Sequence, residues 1–171
     1  PVLTATGHHD VAFTVAPQTT EPSSGYWTDV LKFTALGECW PRDTRSRNHH
    51  FFGSIVQWFY EDLAGIRPVK PGFREIEIKP QLPTAGLDYV TASYESVLGR
   101  VAVKWKRMST GLELDVTIPA NATARVSVPA MSPTLVREIS KATRSGKFVG
   151  VEAGRVVYEI GSGQYEFRVN R

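Results

Sequence analysis

A single cysteine, Cys39, among 171 residues excludes an internal disulfide and any zinc site built from several thiolates. Long apolar runs are also missing: none approaches the roughly 20 residues that a bilayer-spanning helix needs, so no membrane partner is expected. The first residues lack the basic-then-apolar order of a secretory leader, and the chain opens at Pro1 instead of Met, as a processed, cleaved or truncated product would. Location stays open between cytoplasm and secretion. Neither sign of charge dominates, because 20 Lys and Arg face 17 Asp and Glu for a net +3. The densest basic group, Arg42, Arg45 and Arg47, is interleaved with Asp43 and Asn48. A nucleic-acid binder would mass its positive charge along one face, so no such partner is expected. What is present is apolar material: 42% hydrophobic residues, with four Trp, eight Phe and six Tyr, enough for a packed core and too much for a disordered chain.

The pattern of that apolar material changes along the chain. Gly7–Phe13 predicts a short helix that Pro17 stops, Thr19–Gly25 a loop, and Tyr26–Phe33 about two helical turns. The clearest helix is expected over Phe51–Ala64, where Phe52, Ile55, Val56, Phe59, Tyr60 and Leu63 recur at spacings of three and four. Gln57, Glu61 and Asp62 would lie opposite, and Gly65 and Pro68 would end it. So broad an aromatic stripe needs a partner, which suggests that neighbouring helices lie outside this chain. Beyond Val69–Phe73 the period becomes two. Strands are expected near Ile76–Ile78, Val90–Tyr94, Val101–Trp105, Leu112–Ile118, Ala124–Val128, Leu135–Ile139, Val156–Ile160 and Tyr165–Val169, separated by turns rich in Gly, Pro, Asn and Ser. Short strands at this spacing favour an antiparallel sandwich. The boundary is placed near Arg67–Pro71, giving a helical part over 1–67 and a β domain over 68–171.

The densest chemistry-bearing stretch is Glu38-Cys39-Trp40 followed by Ser46-Arg47-Asn48-His49-His50. A carboxylate beside an indole, followed by a polar Asn and His loop, suits a sugar: aromatic faces cover the apolar side of a pyranose while polar groups bond its hydroxyls. On local pattern alone the simpler reading is preferred, in which Asn48 caps the following helix and His49 is merely exposed. His8, His9 and Asp10 suggest a metal only weakly, since adjacent helical histidines point in different directions and no further ligand is evident. Cys39 has no surrounding signature of a catalytic cysteine and reads as a small neighbour of Glu38. Asn121-Ala122-Thr123 reads as a turn between strands, although it has the form of a glycosylation sequon.

Several segments resemble bacterial α-L-rhamnosidases of glycoside hydrolase family 78. These are GHHDVAF at 7–13, EPSSGYW at 21–27, GECW at 37–40, SRNHHFFGS at 46–54 and WFYEDLAGIRP at 58–68, followed by PGFREIEIKP, ASYESVLGRVAVKW and LDVTIPANATARVSVP. The resemblance covers most of the chain in the family's order. It implies the last helices of an (α/α)6 barrel followed by a jelly-roll-like antiparallel β-sandwich, an α+β fragment of a larger enzyme. It also implies that Glu38 is the general base of an inverting hydrolysis, that His49 contacts rhamnose hydroxyls, and that Trp40 is a wall of the sugar pocket. Gly37, Cys39, Ser24 and Glu21 depart from the family pattern, which bears on the shape of that pocket.

An inverting glycosidase uses two carboxyl groups about 6.5–9.5 Å apart. The resemblance places the second, the general acid, upstream of this chain. The expectation is therefore an enzyme that removes terminal α-L-rhamnose from glycosides or polysaccharides without metal or organic cofactor. Its partners would be that rhamnose-containing substrate and the preceding part of the same enzyme, and this chain alone would be inactive. The alternative is a non-catalytic carbohydrate-binding or scaffolding sandwich preceded by a docking helix.

Overall fold

The structure, a computed structural model, describes residues 1–40, 42–43, 45–140 and 145–170. The chain packs as two compact units, Pro1–Phe59 and Tyr60–Arg171.

The first unit is made of short helical pieces joined by irregular chain: α1 (Val2–Ala5), α2 (His9–Val15), a π-helical turn at Tyr26–Val30, a 3-10 turn at His50–Gly53 and α3 (Ser54–Trp58). The expected first helix is thus present, ending before Pro17, and the second is a little over one turn. Pieces this short gain little from propensity and depend on side chains to hold them. Thr4 Oγ1 accepts a bond from the Trp58 indole at 2.7 Å and lies 3.1 Å from His9 Nδ1, which ties all three α-helical pieces together.

The helix expected over Phe51–Ala64 is helical throughout 50–63 but changes type, from 3-10 to α to a final π turn at Phe59–Leu63. Among its described side chains Trp58, Asp62 and Leu63 are buried, whereas Val56, Phe59 and Tyr60 stay 48, 42 and 37% exposed. Helical spacing had placed Phe59 and Tyr60 on the covered face and Asp62 on the open one. Asp62 turns inward because it has a partner there: Arg67 Nη2 reaches its carboxylate at 2.7 Å, and a paired carboxylate tolerates burial that a lone one does not.

The second unit holds two five-stranded sheets packed face to face. Strands are β1 (Ile66–Pro68), β2 (Glu75–Ile78), β3 (Tyr89–Ser96), β4 (Gly99–Met108), β5 (Gly111–Ile118), β6 (Thr123–Val128), β7 (Val136–Glu138), β8 (Lys147–Glu152), β9 (Arg155–Ile160) and β10 (Gly163–Asn170). The first sheet runs β1-β2-β6-β9-β8 and the second β3-β4-β5-β10-β7. All pairs are antiparallel except β2 with β6, where the chain returns after building the β3–β5 meander in the other sheet. The core forms because alternate residues point inward. In β4 these are Val101, Val103 and Trp105, opposed across the ladder by Val116 and Leu114 of β5, while Lys104 and Lys106 face out.

The mostly β architecture with a few short helices is the expected one, and each of the eight expected strands is present. Two more escaped the period-two pattern. β1 is three residues long and ends on Pro68. β8 is an exposed edge, broken by a bulge between Phe148 and Gly150, so its apolar residues do not alternate in burial.

Candidate functional site

Leu36–Trp40 and Ser46–His49 belong to no regular element, yet they run beside each other. Glu38 N–H donates to Ser46 O at 3.0 Å and His49 N–H to Leu36 O at 2.9 Å, so the two segments form a short antiparallel pairing. This pairing brings the backbone of Glu38 and that of the histidine segment together across ten intervening residues. The Ser46 hydroxyl accepts from Asn48 N–H at 3.3 Å and shapes the return of the loop. Glu38 is half-buried, His49 is half-buried and His50 is exposed. The His49 and His50 rings stack at 5.7 Å with 18° between planes. His49, not Asn48, occupies the cap position of the following helical run, and it makes no side-chain cap bond. The simpler reading of Asn48 as a helix cap therefore does not hold.

Trp40 sits in a cluster of three rings. It stacks on the fully buried Trp27 at 4.2 Å and 15°, and Phe52 lies against both, 5.2 Å from Trp27 and 5.0 Å from Trp40. The Trp27 indole donates to Cys39 O at 3.2 Å. This bond fixes the residue between Glu38 and Trp40, so the π-helical turn that carries Trp27 holds the GECW segment by both ring stacking and a backbone bond. Arg47 lies with its guanidinium 4.7 Å from the centre of the Phe33 ring, a cation–π contact that steadies the same loop.

The structure thus brings Glu38, Trp40 and His49 into one loop pair backed by aromatic rings. It adds Trp27 and Phe52, which sequence reading assigned to a helix and a helical stripe. Their partnership with Trp40 joins positions 12 or more residues apart and leaves no local periodicity to find. His8, His9 and Asp10 do not gather: His9 is engaged with Thr4, and no group of three or more metal-ligating side chains occurs among the described residues.

With this geometry in place, comparison with known proteins is specific. Residues 1–63 match the family described as bacterial alpha-L-rhamnosidase 6 hairpin glycosidase domain, and residues 65–143 the family described as bacterial alpha-L-rhamnosidase C-terminal domain. An α-L-rhamnosidase of Streptomyces avermitilis is 36% identical over 179 residues, covering 99% of this chain and 17% of the relative. The crystal structure of the Streptomyces avermitilis α-L-rhamnosidase complexed with L-rhamnose superposes with a TM-score of 0.86, over 99% of this chain and 17% of that one. The α-L-rhamnosidase from Dictyoglumus thermophilum follows at 0.81 and 29% identity, over 99% of this chain and 20% of that one. The chain therefore spans about a fifth of the length of the relatives it matches.

Proposed function

Because the chain belongs to the bacterial α-L-rhamnosidases, we propose that it is the C-terminal part of an inverting glycoside hydrolase that releases terminal α-L-rhamnose, with Glu38 as general base. The observation that carries this reading is the backbone pairing of Leu36–Glu38 with Ser46–His49, which sets the carboxylate segment beside the histidine segment. In this reading Glu38 takes the proton from a water that attacks the anomeric carbon on the face opposite the leaving oxygen. A second carboxyl group, on the preceding part of the same enzyme, protonates that oxygen. His49 bonds the sugar hydroxyls. Trp40, braced by Trp27 and Phe52, forms an apolar wall for the ring.

Residues 1–67 are then the last helical part of the catalytic domain and 68–171 its trailing sandwich. Support for a part that needs the rest of its enzyme comes from Val56, Phe59 and Tyr60, large apolar side chains left half-exposed in this chain. Taken alone, the chain is inactive.

The test is reconstitution. Co-expression with the preceding part of its enzyme restores release of rhamnose from an aryl rhamnoside, and Glu38→Gln then lowers kcat by about 10²–10⁴-fold, the usual worth of a positioned base. Azide needs no deprotonation, so it revives Glu38→Ala and yields a glycosyl azide of inverted configuration. Full activity in Glu38→Gln would overturn the assignment.

A further inference from the structure

We propose that the sandwich carries a second, non-catalytic carbohydrate site: a cleft at one end of the first sheet that takes a short neutral oligosaccharide. The cleft measures about 890 Å³ and is lined by Glu75 of β2, Thr123 and Arg125 of β6, Lys147 of β8, Glu159 of β9 and Ser162 in the turn before β10. It lies wholly within the second unit and uses none of the residues around Glu38. The inference therefore goes beyond the catalytic reading and does not depend on it.

The lining decides the ligand class. Two carboxylates and two cations face the cleft, and each is matched by an opposite charge: Glu75 by Lys70, Arg125 by Glu152, and Lys147 by Glu159 at 3.7 Å. The cleft consequently has no net field to select a phosphate, a polyanion or a cation. A long apolar ligand is equally disfavoured, because every charged group would lose water without gaining a partner. What the lining does offer is donors and acceptors side by side. Each carboxylate keeps lone pairs and the ammonium keeps N–H groups beyond its ion pair, and the Thr123, Ser145 and Ser162 hydroxyls do both. Val69, 60% exposed, supplies an apolar wall. Hydroxyls that donate and accept around a ring with C–H faces match this lining, and the volume falls within the about 300–1,000 Å³ of small-ligand sites. The ion pairs are exposed, so affinity is expected to be weak, and the site would hold a chain near the enzyme without acting on it.

The experiment follows amide shifts of the ¹⁵N-labelled 171-residue chain during titration with neutral trisaccharides of rhamnose, xylose and glucose, with a trisaccharide of galacturonic acid as the charged control. A saturable set of shifts at Thr123–Arg125, Lys147, Glu159 and Ser162 with at least one neutral sugar, stronger than with the acidic one, is the expected result. The double variant Thr123→Val/Ser162→Ala loses two hydroxyl partners and weakens binding about tenfold. Its melting temperature shows whether the fold is intact, and Glu159→Gln serves as a second variant that alters no hydroxyl. Glu38→Gln binds as the parent chain does, which separates failure of this inference from failure of the catalytic one. Absence of saturable shifts with all the neutral sugars, shifts confined to other surfaces, preference for the acidic sugar, or unchanged binding in both cleft variants would overturn it.

Discussion

Trp105 shows how much one side chain settles. It is fully buried in β4, and its indole donates to Leu63 O at 2.8 Å, joining the sheet to the π-helical turn that precedes it. Trp105→Phe leaves that carbonyl without its donor and opens space in the core, so unfolding in urea should show a loss of about 2–3 kcal/mol. Two tyrosines give a pH signature. Burial pushes the phenols of Tyr158 and Tyr165 above their ordinary value, and the Glu138 carboxylate adds to it, while a bond to the Gly161 backbone works the other way at Tyr165. The folded chain then holds these protons more tightly than the unfolded chain. Their contribution to stability is complete below the ordinary phenol value of about 10 and is lost as pH rises from there through the folded values. Denaturation midpoints at about pH 8 and about pH 11, on either side of that value, should therefore differ less in Tyr158→Phe/Tyr165→Phe than in the parent chain. A single sequence marks Trp105 as core from its alternation with lysines. That its ring nitrogen must find Leu63, 42 residues earlier, is nowhere in the local pattern.

Among elements, the turn between the helical run and β1 is tightly constrained. Gly65 has φ +78°, and a Cβ there would stand 2.2 Å from Pro80 N and 2.3 Å from Lys79 C. Gly65→Ala should cost at least about 2 kcal/mol, since it meets both a left-handed backbone and rigid main chain. Gly53 provides the contrast: its φ is −64° and nothing lies within 4 Å of a Cβ built there. Gly53→Ala should be neutral or stabilise by up to about 1 kcal/mol through the unfolded chain. Paired melting curves of the two variants decide this. The glycine that ends the helical run is legible in the sequence as a stop signal. The close approach of Lys79 and Pro80 is not, because it arises from β1 pairing with β2.

Across the whole molecule, the two units are unequally supplied with core. The sandwich buries one continuous apolar cluster drawn from both sheets, including Ile78, Val103, Leu114, Val126, Val156 and Phe167. The helical unit buries only Ala12, Trp27, Leu31 and Trp58 among its described apolar side chains. Opening free energy follows buried apolar contact, so amide exchange should be slowest in β4, β5 and β10 and much faster throughout residues 1–49. Equal protection in the two units would contradict this ordering. Joining the preceding part of the enzyme should raise protection selectively in the first unit, where the half-exposed Val56 and Phe59 gain cover.

The sandwich is legible in the chain's own pattern, because strand periodicity depends only on which side chains alternate between core and water, and that is written residue by residue. The sequence also carried the family motifs around Glu38, Trp40 and His49. Folding in three dimensions was needed to turn Asp62 inward to Arg67, to back Trp40 with Trp27 and Phe52, and to line one cleft with paired charges from four strands. These arrangements depend on partners far apart in the chain, and the free energy that selects them, burial and charge pairing together, exists only once those partners meet.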